Sequence, residues 1–135
     1  MRPSVETLAQ IANDAGGFTF RWSDAEFPSA GFAVGIPGFE HQTAYLTPQS
    51  IWDYVLRTDV SAALNADAHR CLGTWRNGDT WYLDVSEVYA NLASAIDAAR
   101  KGNQRAVYDL AEGLTILVSP LPQEVPVTTD LGGES

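Results

Sequence analysis

The sequence is poor in cysteine, histidine and lysine. In 135 residues it has one Cys, Cys71, and two His, His41 and His69. A single Cys excludes an internal disulfide framework and argues against a Cys-based zinc site. It also makes a reducing cytoplasm the expected location. One Lys joins seven Arg, so eight bases face 17 acids and the formal net charge is −9. That balance argues against direct nucleic-acid binding and against adhesion to anionic membranes. No apolar run approaches the ~20 residues of a membrane helix. The stretch MRPSVETLAQIANDAGG lacks the uninterrupted apolar core of a signal peptide. A P-loop, a dinucleotide fingerprint, HExxH, a paired-acid glycosidase pattern and a basic–aromatic nucleic-acid motif are all missing, so no cofactor is expected.

The acidity invites comparison with nucleic-acid mimics. Charged residues make up 19% of the chain, against about 25% in typical domains. The acids are therefore near ordinary abundance, and the imbalance comes from the shortage of bases. A phosphate mimic needs a dense one-sided row of carboxylates, because duplex DNA carries a charge every ~1.7 Å. The sequence holds no such row. An acidic inhibitor of a nucleic-acid enzyme stays as an alternative function.

What is present is a set of clear folding signals, strongest over residues 70–118. Asn77-Gly78 between two β-rich runs predicts a type I′ hairpin. Thr74 then faces Trp81, Leu72 faces Leu83 and Arg70 faces Val85 on an apolar core face. His69, Cys71, Gly73, Trp75, Tyr82, Asp84 and Ser86 fall on the opposite face. Asp84 or Ser86 is the expected N-cap of a following helix, with Val88, Leu92, Ala95, Ile96 and Ala99 as its stripe and Gly102-Asn103 as its stop. That helix should lie on the face of Leu72, Trp81 and Leu83. A second hairpin, turning at Ala111-Glu112-Gly113, should place Ala106, Tyr108, Leu110, Leu114, Ile116 and Val118 on one face. The unit reads ββαββ, with a right-handed parallel crossover from strand 79–85 to strand 105–110.

The rest of the chain supplies flanking elements. Ser4 caps a helix over residues 4–15 that Gly16-Gly17 ends. Phe18, Phe20 and Trp22 alternate as in a half-buried strand. Residues 31–36 and 39–46 read as β around Pro37-Gly38, as a hairpin or a wider corner. Thr47-Pro48 opens a helix over 48–65. The expected fold class is thus α+β: a single domain over 1–118, with a mixed, mostly antiparallel sheet built from hairpins and three helices. Residues 119–135 have three prolines and three acids and no base, and read as a disordered tail.

The pattern Leu72-Gly73-x-Trp75, Tyr82-Leu83-Asp84-Val85-Ser86, a helix, then Asn103-Gln104-x-Ala106-x-Tyr108-Asp109-Leu110 resembles small uncharacterised proteins of phages and mobile elements from high-GC bacteria. The resemblance covers about residues 70–110, and less clearly Phe32–Tyr54. It implies a genomic setting, with the host cytoplasm as location, and no mechanism.

Two constellations carry candidate chemistry. His69, Cys71 and Asp84 share a strand-pair face, where a thiol beside a base would be a nucleophile. An adjacent carboxylate raises a thiol's pKa, which works against that role; the bland alternative is a half-solvated sheet face. Trp75, Tyr82 and Asp84 form the candidate binding set, since aromatics concentrate at interface hot spots and two of them beside Gly73 make an apolar patch. His41 and His69 lack identifiable carboxylate partners for a metal. The leading expectation is a non-enzymatic protein that binds a host or phage protein through the aromatic-bearing sheet face. The third alternative is a small enzyme using Cys71, His69 and Asp84. Oligomeric state is left open.

Overall fold

A computed structural model describes residues 2–118; the expected acidic tail lies outside them. In chain order the elements are α1 (Val5–Ala15), β1 (Gly17–Arg21), β2 (Phe32–Gly35), β3 (His41–Thr43), α2 (Pro48–Val55), α3 (Thr58–Ala66), β4 (Arg70–Asn77), β5 (Thr80–Tyr89), α4 (Leu92–Lys101), β6 (Ala106–Asp109) and β7 (Leu114–Leu117). The α+β class holds. The sheet runs β1-β4-β5-β2-β6-β7, with β3 also on β5. Every strand pairing among the described residues is antiparallel, so the expected mixed character is absent.

The hairpin–helix–hairpin order is present along the chain, but its two hairpins are not neighbours. β2 sits between β5 and β6. β5 is long enough to take two partners on one edge: β3 opposite residues 81–83 and β2 opposite residues 86–89. Pro37-Gly38 is therefore the wider corner, because β2 and β3 both pair with β5 and not with each other. This pairing also corrects the cap assignment. Asp84 and Ser86 stay inside β5, whose ladder with β2 supplies backbone hydrogen bonds that a helix there would forgo. The α4 cap is Asn91, whose side chain accepts from Ser94 N at 2.9 Å.

The central turn differs from the expected one. Asn77 pairs with Thr80, leaving Gly78-Asp79 as the two-residue loop. Gly78 has φ 63 and Asp79 stays out of the left-handed region, the pattern of a II′ turn with Gly at its first central position. The register moves by two residues: Leu72 faces Val85, Thr74 faces Leu83, and Trp75 faces Tyr82. A shift of two preserves which face each side chain takes, so the core face stands. The second hairpin has a four-residue loop, since Asp109 pairs with Leu114. One extra loop residue reverses facing. Val107 pairs with Ile116, and Tyr108 with Thr115, instead of Tyr108 sharing a face with Ile116.

The expected helix over 48–65 is two helices, with the break at Leu56-Arg57. Arg57 is extended (φ −58, ψ 135), its guanidinium is bidentate to Asp59, and it lies over the Tyr54 ring. The bend lets Val60, Ala63 and Leu64 reach the core while Ile51 and Tyr54 do the same from α2. The other helix starts follow the sequence. Ser4 accepts from Thr7 N, and Thr47 and Ser50 form a capping box behind Pro48.

Helices cover one face of the sheet. Side chains of α1, α2 and α3 pack with Phe20, Leu72, Trp81, Leu83 and Val85 in the main core. Thus α4 does not cover Leu72 and Leu83; its Ala95 and Ala99 pack on Val34 and Val107 in a second cluster. Val34 pairs with Glu87, two residues along β5 from Val85, so both clusters lie on the same side of the sheet. Among the described residues the opposite face carries no helix. No helix among the described residues is long and apolar enough to cross a membrane.

Candidate functional site

The open face is floored by β5 and its neighbours. Alternation along β4 and β5 sends Gly73 and Trp75, and Tyr82, Asp84 and Ser86, to this side. Antiparallel pairing then sets Gly73 across from Asp84 and Trp75 across from Tyr82. The Trp75 and Tyr82 rings stack, with centroids 4.1 Å apart and planes within 10°. Around these residues lies a cavity of about 670 Å³, lined from β1 (Gly17, Thr19) across to β6 and β7 (Tyr108, Thr115). Glu40, Gln42, Arg76, Asn103, Gln104 and Arg105 add polar groups to its lining.

Asp84 lies at the bottom. Its Oδ1 is fully buried and, alone among the buried side-chain oxygens and nitrogens of the described residues, has no hydrogen-bond partner. Gly73 makes room for the carboxylate, and Gly35 stands beside it at ordinary contact distance. A Cβ on Gly73 would collide with Asp84 Oδ1, and one on Gly35 would stand 3.8 Å from Oδ2 and 3.5 Å from Gln104 Oε1. The pKa of Asp84 is pushed up to about 6, first by loss of solvation and further by the charge of Glu40. Trp75 acts the other way, as a donor toward the carboxylate, without a hydrogen bond of ordinary geometry to Oδ1. A buried acceptor without a donor is costly. A raised carboxylate in a cleft marks a functional-site candidate.

All three residues of the expected binding set, Trp75, Tyr82 and Asp84, therefore meet in one cavity. Tyr108 joins its wall through the reversed facing of the second hairpin. Gly35, Glu40 and Gln104 were not legible as site residues, because they arrive from elements distant in sequence. The one local hint was Gly73 between Cys71 and Trp75, a strand interior where a missing side chain signals close approach.

The thiol constellation does not assemble. Cys71 is fully buried and pairs with Ser86 rather than Asp84. Its Sγ donates to the His69 carbonyl at 3.7 Å, while His69 itself is an exposed turn residue. Burial pushes the thiol up to about 11, with nearby Asp24, Asp84 and Glu87 adding to the rise and Arg21 opposing it. A thiol so placed is almost wholly protonated at neutral pH, which removes its nucleophile. His41 stacks on Tyr54. Among the described residues no three His, Cys, Asp or Glu side chains converge as a metal set.

A smaller hollow of about 290 Å³ lies between Arg2, Trp22 and the segment around Asp67. No buried unpartnered group points into it. Compared with family models, with curated proteins and with solved structures, the chain has no match.

Proposed function

We propose that this chain is a non-enzymatic binding protein of a phage or mobile element. It engages a protein partner of the host or phage through the aromatic-bearing open face of the sheet. The observation that carries this reading is the Asp84 cavity: a buried acceptor without a donor, beside a stacked Trp75–Tyr82 pair, on the face that no helix of the described residues covers. Burying a polar group without a partner costs stability in the free protein, and a bound partner that supplies the donor recovers it. Trp75 is 41% exposed and Tyr108 42% exposed, so large aromatic surface is offered around the opening, as at interface hot spots. The expected setting in the host cytoplasm belongs to the same proposal.

The test is affinity capture from bacterial lysate with wild-type protein, Trp75→Ala and Tyr82→Ala in parallel, read by mass spectrometry. Both side chains lie off the helix-covered core, so both variants should keep the wild-type circular dichroism. Partners retained by the wild type should be lost from both variants. Equal retention by all three folded proteins would sink the proposal.

A further inference from the structure

We propose that the Asp84 cavity is a receptor for an arginine side chain of the protein partner, with the guanidinium seated between the Asp84 carboxylate and the Trp75–Tyr82 stack. This rests on the binding reading above and names the group that the face receives.

The chemistry of the floor selects a donor. Asp84 Oδ1 is an acceptor in want of a hydrogen, and an ionised carboxylate only accepts. The nearby Glu40 charge adds to the negative field at Asp84, so the group that relieves it is a cation. Aromatic faces attract cations, and Trp75 reaches the carboxylate from that wall. Oδ1 is closed off against Gly73, so an incoming group meets the carboxylate at Oδ2, on the side of Gly35 and Gln104. A carboxylate beside aromatic faces suits a guanidinium better than an ammonium, because a guanidinium is planar, forked and weakly hydrated.

The protein's own bases do not fill this role in the structure. Arg76 is engaged over the Trp81 ring at 5.5 Å, and Trp81 belongs to the helix-covered core. Arg105, exposed on the loop before β6, lines the cavity as Arg76 does, but among the described residues no ion pair joins either of them to Asp84. The other face shows the complementary case: the partly buried Glu87 carboxylate receives Arg70 Nε at 2.9 Å. Asp84 has the same need and no internal arginine. The net charge of −9 disfavours phosphate-bearing ligands and favours a basic protein segment.

The experiment is a titration of ¹⁵N-labelled protein with N-acetyl-arginine amide, reading the indole N–H signal of Trp75. N-acetyl-lysine amide and the isosteric, uncharged N-acetyl-citrulline amide serve as controls. The arginine probe should give a saturable shift with a Kd in the millimolar range, as expected for about 1–4 kcal/mol from one small group. Both controls, and the arginine probe on Asp84→Asn, should bind at least about tenfold more weakly. Comparable binding by citrulline or lysine, an unaffected Asp84→Asn, or no shift at about 100 mM probe would each overturn the assignment. The two proposals fail separately. If partner capture needs Trp75 and Tyr82 while the arginine probe gives no shift, the guanidinium falls and the binding face stands. If the probe binds as expected while capture ignores Trp75 and Tyr82, the protein-partner reading falls.

Discussion

Replacing Asp84 by Asn should stabilise the protein, and the gain should depend on pH. Asp84 is an acid whose folded pKa is raised, from 3.8 to about 6. Between those values the folded state holds the proton that the unfolded state has released. Stability therefore falls as pH rises through this window, the reverse of the usual paired carboxylate. A shift of about two units at about 1.4 kcal/mol each gives a penalty of at most ~3 kcal/mol, fully present above the folded pKa and absent below about pH 4. Asn keeps the shape and removes the charge, but leaves a polar group short of partners, which returns about 1 kcal/mol or more of the gain. The expected difference, Asn variant minus wild type, is then about 1–2 kcal/mol at pH 8 and near zero or negative at pH 4.

Other titrating groups do not imitate this difference. Asp24 and Asp59 are held below the usual carboxylate range by Arg21 and Arg57, but both are common to the two proteins and cancel. Around the cavity itself stand Glu40, Arg76, Tyr82, Arg105 and Tyr108; the buried Cys71 of the same strand pair, raised in part by the Asp84 charge, stays protonated over this range. The assay is equilibrium unfolding in urea at several pH values between 4 and 8. Urea is chosen because guanidinium is the proposed ligand. A pH-independent difference, or an Asn variant less stable at pH 8 than at pH 4 relative to wild type, would refute the claim that the free protein strains against a buried charge.

Two further outcomes follow from the same site. Gly73→Ala should destabilise by about 1–3 kcal/mol, because the new Cβ would overlap Asp84 Oδ1; in Gly73→Ala/Asp84→Ala the loss should be largely relieved, and additive effects in that cycle would show that the two positions do not meet. Cys71 should react slowly with iodoacetamide at pH 7.5 in the native protein and quickly in urea, because the thiol is both buried and raised to about 11; rapid native labelling that follows a low pKa would restore the thiol chemistry.

The sequence by itself determined what alternation and local capping can encode. Leu72, Thr74, Trp81, Leu83 and Val85 face the core, and Gly73, Trp75, Tyr82 and Asp84 face away from it, even though the hairpin register moved by two residues, because a two-residue step leaves the strand period unchanged. Ser4 and the Thr47-Pro48 start were legible for the same reason: a cap is made by residues three apart. Tertiary structure decided everything that depended on which elements lie side by side. The ladder from β2 kept residues 86–89 extended and moved the helix cap to Asn91. One extra loop residue turned Tyr108 toward the cavity and Val107 toward α4. Insertion of β2 between β5 and β6 brought Gly35 and Gln104 to Asp84. Above all, the depth of Asp84 was not written in its neighbours along the chain, since desolvation is set by what surrounds a group in space.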